Sequence, residues 1–360
     1  MRRTIQTISS LLLLLAVQIH SDSVALSFSG NISQLKPTRL VTIKPSVGYS
    51  HGAITVRLSK SETDMIAILQ VLALEKSGEP TTSADVRWRI QSGSENSPTL
   101  LLAKETMTAA RELLARVGFP EPPTISIVVG RSQKYLEKQI ESLGCSIPES
   151  KEDQALLMGA TLCNRTVISI NLTGYFFVTS VATLGNVALD TRPEPALNRT
   201  LYQIANRNIT SLAHEWTHVE VVPIRNRNIA SFEPAWLSEG MAEVVSGLAR
   251  VRATHGKFTY LEFHVVRLRK FSNWVNTCRA PLSAYRMVTE DMSGCEYLRG
   301  AVACEMLIAR FGGIHNVQRL YEDFEITRDF GQSFRTIYGM SMSDFEKRAD
   351  KYARYIALVQ

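Results

Sequence analysis

The sequence lacks most of the features that mark membrane-spanning, disordered or nucleic-acid-binding chains. After the first 25 residues, no apolar run reaches the roughly 20 residues that a bilayer requires. The charged fraction of 21% is ordinary for a globular protein. Basic residues cluster only locally, as in VVRLRKF (Val265–Phe271), without interleaved aromatic residues or a known module. We therefore expect a folded protein with no nucleic-acid partner.

The longest apolar run lies at the N-terminus. Two arginines precede a mostly apolar stretch, Leu11–Ile19, and small and polar residues follow it. This order is typical of a secretory signal peptide, and the run is short for a membrane span. Small residues at Ser23 and Ala25 predict cleavage after Ala25, with an uncleaved membrane anchor as the alternative. We expect residues 1–25 to be the signal peptide of a secreted or periplasmic protein with no integral membrane segment.

Cysteines are few, and none of their spacings resembles a thiolate zinc site. In an exported protein most cysteines are expected to pair, and an odd count leaves one over. Proximity along the chain favours Cys145–Cys163 and Cys278–Cys295, with Cys304 free inside a helix. Sequence alone does not fix this connectivity.

The pattern of apolar residues divides the chain. Residues 26–98 read as a β-rich region of unknown role with one helix, for which Ser61 is the predicted N-cap. A segment rich in Ser, Thr, Pro and Gly closes this region at residues 79–98. From residue 99 strands and helices alternate as far as residue 222, and residues 223–360 are mostly helical. This order predicts an α+β fold with segregated layers.

The segment SLAHEWTHVE (Ser211–Glu220) carries the first chemical signal. On a helix, His214 and His218 project from one face one turn apart, so both rings can reach one metal ion. Glu215 is rotated by about 100° and can face a water without binding the metal. Two histidines leave zinc short of a third protein ligand.

A third ligand is available in EPAWLSEGMAEVVSGLAR (residues 233–250). Here an apolar stripe predicts a buried helix, while Glu239 and Glu243 share a different face. Twenty residues separate Glu239 from His218, which is enough for a loop and a second helix packed on the first. His214, His218 and Glu239 would complete the three-ligand set of a hydrolytic centre with one Zn2+ per chain.

Together, His214-Glu215-x-x-His218 and Trp236-Leu237-Ser238-Glu239-Gly240 resemble the gluzincin metallopeptidases, and most closely their peptidase MA-like branch. The resemblance covers roughly residues 120–350 and implies a zincin-like domain, with a small mixed sheet whose edge strand packs on the HExxH helix. The tail FRTIYGMSMSDFEKRADKYARY also resembles that branch, and Ser343 with Glu346 predicts a capping box there. Residues 26–98 are not covered.

The resemblance also implies roles for single residues. His214, His218 and Glu239 would hold zinc, and Glu215 would be the general base that takes a proton from water and returns it to the leaving amine. Glu243 lies where thermolysin-like relatives place an acid that orients the first histidine; the alternative is an ordinary surface glutamate.

An oxyanion-stabilising group must lie opposite the metal, and relatives use a Tyr or His well downstream of the glutamate ligand. Tyr297, at the start of a predicted helix 58 residues after Glu239, is the candidate that we favour. Tyr285 and His264 are its rivals, and each of the three could instead be a half-buried packing residue.

The strand in TVISINL (residues 166–172) is the predicted edge to which a substrate peptide could add. The aminopeptidase-type G-x-M-E-N signature is absent from it, which favours an endopeptidase that acts on peptide or protein substrates. The competing hypothesis is a catalytically silent zincin-fold protein that serves as an extracellular binding module, and a third is that both motifs are coincidental. The sequence leaves the oligomeric state open.

Overall fold

In the computed structural model the described residues are 37–43, 54–75, 84–146, 159–162, 166–172, 209–220, 233–265, 278–287 and 294–358. The predicted signal peptide lies outside them. In chain order the strands and helices are β1 Pro37–Ile43, β2 Ile54–Ser59, α1 Lys60–Leu74, β3 Asp85–Ile90, α2 Pro98–Arg116, β4 Thr124–Gly130, α3 Gln133–Ser142, β5 Gly159–Leu162, β6 Val167–Asn171, α4 at 209–220, α5 Ala235–Ala253, α6 Tyr260–Phe263, a 3-10 turn Leu282–Tyr285, α7 Cys295–Arg310, α8 Gly313–Thr327, α9 Phe330–Tyr338 and α10 Met342–Leu358.

The described part of the chain is a mixed α/β structure that is mostly helical. Its larger sheet has the order β3-β4-β6-β5, in which β3, β4 and β6 are parallel and β5 is antiparallel to β6. β1 and β2 form a separate antiparallel pair. The predicted combination of strands and helices is confirmed at this coarse level. The parallel pairing of β3, β4 and β6, with α2 and α3 between them in the chain, differs from the predicted α+β order with segregated layers.

The edge of the sheet is not where the sequence predicted it. β6 is the strand in TVISINL, and it is hydrogen-bonded on both sides, to β4 and to β5. All five of its residues are buried, so they show no inward and outward alternation. The prediction was wrong because β5 (GATL) forms a strand of its own and covers that edge. Among the described strands, the antiparallel edge of the sheet is therefore β5.

The N-terminal region is joined to the rest of the fold. β3 lies before residue 98 and pairs with β4, and α1 contributes Met65 and Leu69 to the same core as Ile127 and Trp236. This differs from the predicted boundary at residue 98, because polar and Gly-rich composition marks loops and does not show which sheet a strand joins.

Two helix starts differ from the predicted ones by a short shift. α1 begins at Lys60, and Ser59 is the N-cap in a capping box with Glu62, so the predicted cap at Ser61 is wrong. α10 begins after Ser341, whose hydroxyl accepts from the backbone N–H of Asp344 at 3.1 Å. Glu346 is therefore not part of a capping box with Ser343; it binds Trp236 and Arg286 instead.

α5 and α7 pack with their backbones in close contact. A Cβ on Gly240 would lie 2.3 Å from the carbonyl of Gly300, and one on Gly300 would lie 2.2 Å from the Trp236 oxygen. Only glycine fits at both positions. This contact fixes the first turns of α7 beside the residues that flank Glu239.

A disulfide joins Cys278 to Cys295 at the first residue of α7, as predicted, and Cys304 is free and buried inside that helix. Cys145 is also disulfide-bonded, while its predicted partner Cys163 lies outside the described residues. Among the helices that the structure describes, none is long and apolar enough to cross a membrane.

Candidate metal centre

α4 places the two histidines of HEWTH beside the core. Leu212, Trp216 and Val219 recur at helical spacing and are fully buried, which fixes the rotation of the helix. His214 and His218 therefore project together from one side, with ring centroids 4.8 Å apart. His214 is 7% exposed and His218 half-buried, so solvent reaches the pair only in part.

α5 supplies the acidic side of the site. It begins after Pro234, whose fixed φ suits the start of a helix. Trp236 and Leu237 are fully buried, which turns Glu239 toward α4. Glu243 lies one turn further along the same side and is also buried.

The three predicted ligand atoms converge. His214 Nε2 lies 3.1 Å from His218 Nε2, and each of these nitrogens lies 3.2 Å from Glu239 Oε2. Among the described residues this is the one group of three or more His, Cys, Asp or Glu side chains that could hold a metal ion. Ligands at 2.0–2.1 Å from a tetrahedral zinc lie about 3.3 Å from one another, so the spacing and donor types fit zinc.

The charges around His214 favour a positive group in this cluster. Burial lowers the pKa of His214, but hydrogen bonds to Glu239 and Glu243 outweigh it and raise this pKa to about 10. Burial acts to raise the pKa of Glu239, while His218 and His214 lower it far below its usual range. A cation is therefore favoured between these side chains, and a bound metal must displace the proton on His214.

Two further side chains orient the histidines. Glu243 Oε1 lies 3.4 Å from His214 Nδ1, which is the role that the sequence predicted for it. Ser238 Oγ lies 3.2 Å from His218 Nδ1, and the sequence analysis missed this contact. The Nδ1 atom of each ring thus contacts a side chain of α5, which leaves Nε2 directed at the candidate metal position. The only signal for Ser238 was its place directly before Glu239.

Glu215 lies beside the ligands without belonging to them. It is 8% exposed, and its charge acts on His214. Its position one residue after His214 rotates it by about 100° around α4. This is the arrangement that a general base requires: near the metal position and free of the ligand set.

Tyr297 is the one of the three oxyanion candidates that the structure brings to the ligands. Its ring stacks on that of His214, with centroids 5.7 Å apart and an angle of 19° between the planes. His264 is fully buried between Glu305 and Glu62, so it cannot reach substrate. Tyr285 lies in the 3-10 turn, where the charges that act on it are Arg299, Glu296 and Asp350.

The back of α4 is held by a second polar group. The indole of Trp216 donates to Glu220, and the guanidinium of Arg111 lies 4.8 Å from the centroid of the Trp216 ring. Arg111 also pairs with Glu121 at 2.8 Å. These contacts anchor α4 to α2 and to the loop before β4.

Comparisons of the chain with protein-family models, with curated proteins and with solved structures found no match. What the site can do is therefore inferred from its own geometry and chemistry.

Proposed function

We propose that this chain is an exported, zinc-dependent metallopeptidase of the gluzincin type with a zincin-like fold, and that it acts as an endopeptidase. The single observation that carries the proposal is the convergence of His214 Nε2, His218 Nε2 and Glu239 Oε2 within 3.2 Å of one another. Two imidazoles and one carboxylate form the protein ligand set of hydrolytic zinc centres. The resemblance of HEWTH and WLSEG to gluzincin motifs supports the same conclusion.

His214, His218 and Glu239 would hold the ion. When bound, zinc supplies a Lewis acid that lowers the pKa of water toward neutrality and polarises a carbonyl group. Glu243 and Ser238 keep the two rings in the required tautomer and orientation by binding their outer nitrogens. This support is what distinguishes a built ligand set from a chance group of polar residues.

The remaining side chains have roles in proton transfer and charge stabilisation. Glu215 accepts a proton from the attacking water and later donates it to the leaving amine. Tyr297 stacks on His214, so it lies beside the position where the scissile carbonyl would bind, and its hydroxyl would donate to the developing oxyanion. Both residues are buried or half-buried, which strengthens these interactions relative to water.

β5 replaces β6 as the strand that would receive substrate. It is antiparallel to β6 and lies at the end of the sheet order, so its outer backbone groups can pair with an extended peptide. A peptide bound along a strand edge can extend in both directions, which suits an endopeptidase.

The proposal is tested with the Glu215→Gln variant. We expect hydrolysis of a peptide library to fall by about 10²–10⁴-fold, because Gln cannot accept the proton. Zinc content should stay that of the wild type, since Glu215 is not a ligand. The matched control is Glu105→Gln, which removes one exposed negative charge on α2 and should leave both quantities unchanged.

Wild-type activity that survives in Glu215→Gln would contradict the mechanism. A zinc-loaded wild type that binds a protein partner, cleaves no peptide and binds equally well as Glu215→Gln would support the alternative hypothesis, an extracellular binding module.

A further inference from the structure

The helices that carry Glu239 and Tyr297 both begin without a side-chain cap. Glu239 is the fifth residue of α5, and Tyr297 is the third residue of α7. Neither N-cap residue, Pro234 or Gly294, provides a side-chain hydrogen bond. The first four N–H groups of a helix have no partner inside it, and helix ends open more easily than helix interiors. Contacts from outside the two helices must therefore hold both side chains in place.

The start of α5 is held by the segment that contains the 3-10 turn. The backbone N–H of Ala235, the first residue of α5, donates to the carbonyl oxygen of Arg286 at 3.1 Å. The guanidinium of Arg286 in turn binds the carboxylate of Glu346 on α10 through two nitrogens and two oxygens, one pair at 2.7 Å. Such two-point pairs are strong and directional. Glu346 thus fixes the residue whose backbone caps α5.

The same carboxylate also binds α5 directly. Glu346 accepts from the indole N–H of Trp236 at 3.1 Å, and Phe345 stacks on the Trp236 ring with centroids 5.8 Å apart. Trp236 is fully buried and lies three positions before Glu239, within one helical turn. Glu346 is 2% exposed, so water weakens its hydrogen bonds little. A shift of the indole would therefore move the Glu239 carboxylate with it.

A second carboxylate, one turn further along α10, holds α7. Asp350 binds the guanidinium of Arg299 and accepts from the backbone N–H of Leu282 at 2.9 Å. Arg299 follows Tyr297 by two positions, which is about 200° around the helix. Tyr297 stacks on His214, so Asp350 holds α7 from the side opposite to the candidate metal centre.

The segment 278–287 connects these contacts. The disulfide between Cys278 and Cys295 joins it to the first residue of α7. The carbonyl of Arg286 joins it to α5, while Leu282 and Arg286 join it to α10. The first turns of α5 and α7 are therefore both held by α10, directly and through this segment.

We propose that two carboxylates of α10 are positioning residues for the metallopeptidase. Glu346 holds Glu239 in the position that the metal requires. Asp350 holds Tyr297 beside the position of the substrate carbonyl. Each acts through the helix that it holds, without a place in the ligand set or in proton transfer. The inference rests on the peptidase function proposed above.

The first test measures the zinc affinity of Glu346→Gln by competition with a chromophoric chelator, in protein that circular dichroism shows to be folded. Gln can still accept from Trp236 but lacks the charge that binds Arg286, so zinc should bind about tenfold more weakly. The visible absorption of the Co2+-substituted protein should change as well, because it reports the geometry of the ligands. Asp350→Asn and the exposed control Glu105→Gln should match the wild type in both measurements.

Arg286→Gln breaks the same link from its more exposed end. The Arg286 side chain is 37% exposed and that of Glu346 only 2%, so this variant should fold even if Glu346→Gln does not. It should weaken zinc binding by a similar factor. Wild-type zinc affinity in either variant, once folded, would overturn the role assigned to Glu346.

The second test observes Tyr297 itself. The wild type and Asp350→Asn are labelled with fluorotyrosine, and the signal that is lost in Tyr297→Phe identifies the 19F resonance of Tyr297. Asn can still accept from the Leu282 N–H and lacks only the charge that binds Arg299, which favours a folded variant. The Tyr297 resonance should shift or broaden in Asp350→Asn and stay unchanged in Glu105→Gln.

Turnover measures the functional consequence. On a quenched fluorescent peptide that the wild type cleaves, Asp350→Asn should lower kcat about tenfold, with KM and zinc affinity unchanged. In a Tyr297→Phe background the same change should have no further effect, because Asp350 acts only through Tyr297.

An unchanged Tyr297 resonance in Asp350→Asn, or an equal loss of kcat in both backgrounds, would overturn the role assigned to Asp350. A wild type that binds zinc and cleaves no peptide would count against the peptidase function alone, because zinc affinity and the Tyr297 resonance are measured without turnover.

Discussion

Two histidines in this molecule lie between pairs of glutamates, yet His214 belongs to the candidate metal centre and His264 does not. His214 lies between Glu239 and Glu243, and His264 lies between Glu62 and Glu305. In both cases burial lowers the histidine pKa and the carboxylates outweigh it, which raises the pKa to about 10 for His214 and about 9 for His264. The local electrostatics are thus nearly the same.

The two rings differ in where their nitrogens point and in how far they are exposed to solvent. His264 is fully buried and points its two nitrogens at two different carboxylates, on α1 and α7, so the ring is closed in. His214 directs Nε2 toward a second histidine and a partly exposed carboxylate, which leaves a shared point between three donors. Convergence of ligand atoms, and not the His–Glu pairing itself, is what makes a metal site. His264 instead joins the N-terminal region to the helix that carries Tyr297.

The largest effect that separates the two clusters should come from His264→Ala. This change leaves Glu62 and Glu305 buried without their shared cation, and we expect the free energy of unfolding to fall by about 3–5 kcal/mol. His218→Ala in the protein without added zinc is the control, with a smaller loss of about 1 kcal/mol because its carboxylate partner Glu239 is partly exposed. Urea unfolding at pH 7 measures both. Equal losses would contradict the distinction between a closed cluster and an open one.

A smaller effect should appear in the pH dependence of stability. The folded protein keeps a proton on His264 up to about pH 9, whereas the unfolded chain releases it near pH 6.5. The stabilisation is therefore complete below about pH 6.5 and is lost as the pH rises through 9, a change of about 1–3 kcal/mol. Glu62→Gln should reduce this loss while keeping its N-terminal cap on α1.

Chemical unfolding of both proteins between pH 6 and pH 10 measures the difference between them, in which the contribution of His214 cancels because it is common to both. The same slope in both proteins would show that Glu62 does not hold the proton on His264.

The smallest effect should come from the residue that orients His218. Ser238→Ala removes the partner of Nδ1, and zinc affinity should fall about tenfold to hundredfold while the fold is kept. Ser246→Ala is a matched control, because Ser246 is a buried serine on the same helix whose hydroxyl donates to the backbone oxygen of Glu243 at 2.8 Å. Competition with a chromophoric chelator measures both affinities. Equal weakening in the two variants would indicate a general effect on α5.

The sequence was most informative where spacing along one helix determines geometry. The spacing of four positions from His214 to His218, and from Glu239 to Glu243, predicts shared helix faces, and the structure brings all four side chains together. Tyr297 could be named only through the resemblance, because its contact with His214 joins residues 83 positions apart. The pairing of Cys278 with Cys295 was predicted because the two lie close along the chain.

Contacts between distant segments were the part that the sequence could not predict. The sequence predicts an edge at Val167–Asn171 because strand order depends on pairing with β5, which has only four residues and a weak pattern of its own. The cluster around His264 draws on residues as far apart as Glu62 and Glu305, and no local pattern connects them. Ser59 and Ser341 became helix caps in place of Ser61 and Ser343 because several serines compete for each start.

The most direct test of the central claim is the zinc content of the purified protein, measured by elemental analysis beside Glu239→Ala and the control Glu105→Ala. We predict about one zinc per chain in the wild type and in the control, and little or none in Glu239→Ala, because removal of one of three ligands leaves two histidines that bind zinc far more weakly. A well-folded wild type that holds no zinc after reconstitution, or a Glu239→Ala variant that retains it, would contradict the claim that HEWTH and WLSEG form one metal centre.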